Sequence, residues 1–155
     1  MSEKINVGDK APDFELIKPD GSTFRLQNQL KETNVVLYFY PKDNTPGCTK
    51  QACEFRDQYE VFKEHEAEVV GISADSSDSH DEFERSHRLP FVLLSDTGNK
   101  VRNLFGVPRK FGIIPGRVTY VIDKDGIVRY IFNSMTKPLE HVKNALEVLK
   151  NIEKK

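Results

Sequence analysis

The stretch Val35-Val36-Leu37-Tyr38-Phe39-Tyr40-Pro41-Lys42-Asp43-Asn44-Thr45-Pro46-Gly47-Cys48 decides the fold. Its first six residues are an unbroken apolar run rich in β-branched and aromatic side chains. Such a run suits a strand buried on both faces. Pro41 ends it. A short polar loop follows, and Thr45 and Pro46 then suit an N-cap and the first helical position, where proline's missing N–H costs nothing. From Cys48 onward, Ala52, Phe55, Tyr59 and Phe62 recur at steps of four and three, which predicts a helix from Cys48 to about His65. A buried strand therefore delivers a cysteine to the first turn of a helix.

The rest of the chain repeats the alternation. Asp13–Ile17 and Thr23–Leu26 flank Pro19-Asp20-Gly21 and read as an N-terminal β-hairpin. Val69–Ser73 and Phe91–Leu94 read as further strands. Asp78–Arg88 is a charged helix with a cap at Ser76 or Ser77. Asn99–Phe105 is a short helix ending near Gly106. Val118–Ile122 and Ile127–Phe132 flank Asp123-Lys124-Asp125-Gly126, a hairpin signal. A last helix runs from about Pro138 to Lys150 with Leu139, Val142, Leu146 and Leu149 as its core stripe. This order predicts an α/β chain of thioredoxin-like layout: a central mixed β-sheet flanked by helices, with the cysteine at the carboxyl end of a central strand, where α/β sheets commonly place ligand sites. The 155 residues suit a single domain spanning 1–155.

Composition removes several function classes. The 23 basic and 24 acidic residues leave a net charge of −1, which gives no field for a polyphosphate, so nucleic acid is not expected as a partner. No apolar run approaches the roughly 20 residues of a membrane span. Met1 to Asp13 is polar and lacks the apolar core of a signal peptide, so a cytoplasmic location is expected. His65, His80, His87 and His141 are scattered among charged residues and read as solvated positions, so no metal is expected. No nucleotide-binding loop occurs, and no cofactor is expected.

Cys48 and Cys53 are the two cysteines. Cys48 falls among first-turn N–H groups that have no helical partner, and these together with the helix dipole favour the thiolate, the reactive form. The bland alternative is a small buried core residue. Cys53 lies off the apolar stripe that holds Cys48.

The segment Tyr38 to Thr49 resembles the active-site loop of peroxiredoxins, with its Pro-x-x-x-Thr/Ser-x-x-Cys core. The likeness is to the bacterioferritin-comigratory, or peroxiredoxin Q, branch, where the attacking cysteine is followed five residues on by a resolving one, as Cys53 follows Cys48. It extends from Gly8-Asp9-Lys10-Ala11-Pro12-Asp13-Phe14 to the terminal helix. Gly116-Arg117-Val118-Thr119-Tyr120-Val121-Ile122-Asp123 resembles the family's strand that brings an arginine to the site. The stretch Gly106–Gly116 is similar to the short plant and cyanobacterial form.

The resemblance implies a thiol peroxidase in antioxidant defence. Cys48 would be peroxidatic and Cys53 resolving. Thr45, Arg117 and the Cys48 N–H would stabilise the transition state, and Pro41 would shape the pocket. Arg102 and Arg109 are competitors for the arginine's role. Hydrogen peroxide and organic hydroperoxides would be substrates, and thioredoxin or a similar dithiol the reductant of a Cys48–Cys53 disulfide. A monomer is implied. In an intact helix the two Cα atoms stand roughly 8–9 Å apart and the side chains about 140° apart, whereas a disulfide needs about 4.4–6.8 Å. The helix start must therefore unwind in each cycle. Two other classes compete: a dithiol–disulfide oxidoreductase, which would normally carry Cys-x-x-Cys, and a non-catalytic redox sensor, which would react once and not turn over.

Overall fold

The structure is a computed structural model describing residues 5–110 and 114–153. Strand β1 (Glu15–Ile17) pairs antiparallel with β2 (Thr23–Arg25), so the N-terminal hairpin forms as expected. Its turn is held by Asp20, whose carboxylate accepts from the N–H and hydroxyl of Ser22. A short helix α1 (Leu26–Leu30) comes directly after it. The sequence pattern predicts no helix there, because five residues are too few to show a period.

The buried run becomes β3 (Asn34–Phe39). After it come α2 (Pro46–Asp57), α3 (Tyr59–Glu64), β4 (Ala67–Ser73), α4 (Ser77–His87) and β5 (Val92–Ser95). A 3₁₀ turn at Thr97–Asn99 leads into α5 (Lys100–Leu104). Two-residue strands β6 (Arg109–Lys110) and β7 (Ile114–Pro115) pair antiparallel, and β8 (Val118–Ile122), β9 (Val128–Asn133) and α6 (Pro138–Glu153) complete the chain. The expected helix from Cys48 to His65 is thus two helices. Gln58, at φ −98° and ψ 4°, separates them, and Phe55 and Phe62 on either side both reach full burial in one core cluster.

The central sheet has the order β5-β4-β3-β8-β9. Strand β3 runs parallel to β4 and antiparallel to β8, so the sheet is mixed and β3 is its middle strand. Every residue of β3 is buried. Alternation splits its side chains between two cores, as the pleat requires. Val35, Leu37 and Phe39 join Phe14, Leu26 and Phe105 on one face. Val36 and Tyr38 join Phe55, Phe83 and Leu149 on the other. Residues of α2, α4 and α6 cover that second face. Burial of several full-sized side chains on each face, at about 1.5–3 kcal/mol apiece, holds the sheet between its layers. Among the described residues, no helix is long and apolar enough to cross a membrane.

Two expectations about burial fail. Leu139 is 51% exposed; His141, Val142, Ala145 and Leu149 form the buried stripe of α6. His80 and His141 are fully buried, not solvated. Each is satisfied by hydrogen bonds, which is what burial of a polar group demands. His141 Nδ1 lies 2.7 Å from the Thr119 hydroxyl and Nε2 lies 2.7 Å from the Ser134 carbonyl. Burial pushes its pKa down to about 4, so it is neutral at pH 7.

Candidate active site

Loop and helix geometry bring the site together at the carboxyl end of β3. The Tyr40 N–H donates to the Ile72 carbonyl at 3.1 Å, the last tie to β4 before the chain leaves the sheet at Pro41. Asn44 has φ 63°, a left-handed conformation that asparagine tolerates better than most residues. Thr45 then returns to extended geometry and Pro46 opens α2. The Thr45 carbonyl accepts from the Thr49 N–H at 2.8 Å, the first bond of the helix. Thr45 occupies the N-cap position but its side chain does not cap. The hydroxyl donates backward to the Lys42 carbonyl at 2.9 Å, tightening the loop. The first-turn N–H groups of α2 therefore receive no side-chain cap from Thr45.

Cys48 is 2% exposed. Arg117, 4% exposed at the start of β8, donates from Nη2 to Cys48 Sγ at 3.3 Å. Its Nη1 donates to the Gln51 carbonyl oxygen. Gln51 sits three residues after Cys48 on the same helix face and is fully buried. The fork of the guanidinium is therefore held on one side while it reaches the sulfur on the other. Gly47 gives the guanidinium room: a Cβ there would lie 3.0 Å from Arg117 Nη2, close enough that the side chain would have to shift slightly. Gly47 and Gln51 were absent from the sequence expectation, although the three-residue step from Cys48 to Gln51 was a usable signal.

Arg102 does not compete. It is fully buried, and it donates to the Gly116 carbonyl at 2.7 Å and to the Tyr40 carbonyl at 2.9 Å. It ties the residue before Arg117 to the residue before Pro41 and does not turn to the sulfur. The side chain of Arg109 and residues 111–113 lie outside the described part of the structure. Pro41 is half-buried where β3 enters the loop. Cys53 is half-buried in the same helix as Cys48, but its sulfur faces α4, 3.8 Å from His87 Nδ1. Both cysteines are free thiols, and their side chains point to different partners.

The arrangement is a buried cysteine at a helix start with an arginine held on its sulfur. Residues 7–131 match the AhpC/TSA family. The chain belongs to that family. The chain is 52% identical over 150 residues to a rice (Oryza sativa subsp. japonica) protein named peroxiredoxin Q, chloroplastic, covering 96% of this chain and 69% of that one. It is 53% identical over 148 residues to the Arabidopsis thaliana peroxiredoxin Q, covering 95% and 68%. The crystal structure of peroxidoxin BcpB from Mycobacterium tuberculosis superposes with a TM-score of 0.89 at 40% identity, covering 96% of this chain and 98% of that one. Bacterioferritin comigratory protein from Xanthomonas campestris, studied for alkyl peroxide reduction, superposes at 0.82 with 29% identity, covering 90% and 91%.

This peroxiredoxin is thus a thiol peroxidase of the peroxiredoxin Q type on a thioredoxin-like fold. The cytoplasmic expectation is overturned. The curated relatives are named chloroplastic, which points to a plastid. The polar character of Met1 to Asp13 could not reveal this, because a plastid address is read from a segment distinct from the folded domain.

Arg117→Ala is expected to slow oxidation of Cys48 by hydrogen peroxide by about 100- to 1,000-fold, the usual cost of losing an aimed donor from a developing charge. Arg117→Lys should recover only part, since an ammonium cannot bond Gln51 and the sulfur with one planar fork. Competition kinetics on the reduced protein measure both, and unchanged rates would remove Arg117 from the site.

Proposed function

We propose that this single domain, residues 1–155, reduces hydrogen peroxide and organic hydroperoxides by an internal two-cysteine cycle, acting as a monomer without a cofactor. Cys48 is the peroxidatic residue. Its thiolate attacks one peroxide oxygen, the O–O bond breaks, and water or an alcohol leaves. Charge moves from the sulfur to the departing oxygen. The Cys48 N–H, the Thr45 hydroxyl and Arg117 stabilise that transfer, and Pro41 limits water in the pocket. Cys48 is left as a sulfenic acid.

Cys53 resolves it. Its thiolate attacks the Cys48 sulfur, the S–S bond forms, and the S–O bond breaks with release of water. Both residues lie inside α2, so the helix start has to leave helical geometry for the two sulfurs to meet. Thioredoxin or a similar dithiol then restores the thiols by exchange.

The observation that carries the reading is the bond from Arg117 Nη2 to Cys48 Sγ at the buried start of α2. The test is a coupled assay with thioredoxin, its reductase and NADPH, run with hydrogen peroxide and with alkyl hydroperoxides. Peroxide-dependent NADPH consumption that continues far beyond one turnover per protein molecule is expected. A single stoichiometric reaction would mark a sensor. Disulfide reductase activity without peroxide would mark a dithiol oxidoreductase.

A further inference from the structure

The peroxide site leaves one buried polar cluster unexplained. Asp43 lies in the loop between β3 and α2, midway between Tyr40 and Gly47, and its side chain is 1% exposed. Its carboxylate accepts from the Tyr40 hydroxyl at 2.6 Å, from the Ser79 hydroxyl at 2.8 Å and from His80 Nδ1 at 2.7 Å. Its own N–H donates to the Asp75 carboxylate at 2.8 Å. His80 is fully buried, and its Nε2 faces the Leu94 carbonyl at 3.1 Å. Each ring nitrogen thus faces an oxygen acceptor, the Asp43 carboxylate at Nδ1 and the Leu94 carbonyl at Nε2. Burial alone would raise the Asp43 pKa; the bonds from His80, Tyr40 and Ser79 and the charge on His80 outweigh it and hold the carboxyl below its ordinary value.

A buried carboxylate–imidazole pair is a poor way to stabilise a fold. Desolvating two charges costs several kcal/mol per ion, and apolar residues of similar volume often do as well or better. Its location gives it a different use. The loop it grips is the one whose backbone passes through the left-handed Asn44 and turns Thr45 and Cys48 into place. Asp43 ties that loop to three separate elements: to α4 through Ser79 and His80, to β5 through the Leu94 carbonyl behind His80, and to the end of β4 through Asp75. Asp75 is itself fixed by Ser73 at 2.6 Å.

We propose that Asp43 and His80 are positioning residues for the peroxide step. The pair clamps the loop from Pro41 to Thr45 so that the Thr45 hydroxyl and the Cys48 N–H stand where the two peroxide oxygens must lie. Neither residue is placed to touch peroxide; they act through the loop. This rests on the reading of Cys48 as the peroxidatic residue. Asp43, Asp75 and His80 also have the makings of a metal site, with ligand atoms within 4.8 Å of one another. Both Asp43 oxygens, Asp75 Oδ2 and both His80 nitrogens already hold hydrogen bonds, so the cluster reads as a clamp.

The test compares two reactions of the same sulfur. Peroxide needs docked oxygens; iodoacetamide needs only an accessible thiolate. Asp43→Asn and His80→Gln should each slow Cys48 oxidation by hydrogen peroxide by about 10- to 100-fold, the scale of a displaced reacting geometry. Alkylation of Cys48 by iodoacetamide should change less than about twofold, since the sulfur and its arginine stay in place. Ser79→Ala removes one bond and keeps the Asp43–His80 contact. It guards against misfolding in the stronger variants and should show a smaller loss in the same direction. Equal changes in both reactions, or no loss of peroxide rate in any of the three, would overturn the proposal. Trapping the sulfenic acid with dimedone in the wild-type protein separates the two readings. An adduct on Cys53 would overturn the role of Cys48 itself, while an adduct on Cys48 with unaffected variants would overturn the clamp alone.

Discussion

Cys48→Ser should reduce peroxide at no more than the uncatalysed background while keeping the wild-type fold. Serine is nearly the same size as cysteine and can still accept a bond from Arg117, so the 2% exposed site has no cavity to collapse. The oxygen, however, is scarcely ionised near neutral pH and is a far weaker nucleophile toward a peroxide than a thiolate. Among the described residues, the group hydrogen-bonded to the sulfur is Arg117, a donor and not a base. The measurement is hydrogen peroxide loss in the coupled assay, beside circular dichroism and a melting curve. Turnover above background in a folded variant would mean that the chemistry lies elsewhere.

Cys53→Ser separates the two halves of the cycle. The first reaction with peroxide should proceed at nearly the wild-type rate, because Cys53 faces α4 and takes no part in holding the Cys48 sulfur. Thioredoxin-supported turnover should disappear. The sulfenic acid then has no partner within the chain, so further peroxide should carry Cys48 to sulfinic and sulfonic acids. Intact mass after graded peroxide additions reads this directly: gains of two and three oxygens in the variant, against a loss of two hydrogens in the wild type. Sustained turnover, or a bridge formed only between chains, would discard the internal cycle.

Much of this was legible in the residues. The run from Val35 to Tyr40 announced the middle strand, since an unbroken run rich in β-branched and aromatic residues suits a strand buried on both faces. Thr45 and Pro46 marked the helix start, and Arg117 was found through its strand. What failed to show was whatever depends on three-dimensional placement and not on chain period. Gln51 is tied to the site only by Arg117 reaching across from β8. Gly47 matters only because the guanidinium packs against it. His80 and His141 were taken for solvated residues, although His80 stands three positions from Phe83, and His141 four and eight positions from Ala145 and Leu149. Those steps place each on a buried helix face, and the chemical character of histidine outweighed its position in the pattern. The Thr45 hydroxyl was expected to cap and instead reaches the Lys42 carbonyl, a choice set by the left-handed turn at Asn44.

The packing of α2 has an electrochemical consequence. In the reduced protein Phe55 is fully buried with its ring 4.6 Å from that of Tyr38, and Ala52 is buried beside it. In the proposed cycle, closing a Cys48–Cys53 bridge gives up helical geometry between those cysteines and loosens the turn that carries Phe55. Contacts present in the dithiol form and weakened in the disulfide form make oxidation harder, and by linkage they raise the midpoint potential of the couple. For two electrons, each 30 mV corresponds to about 1.4 kcal/mol of differential packing. In that cycle the apolar face of one helix sets how readily a dithiol reductant recharges the protein. A substitution that loosens Phe55 would shift the potential downward without touching either sulfur.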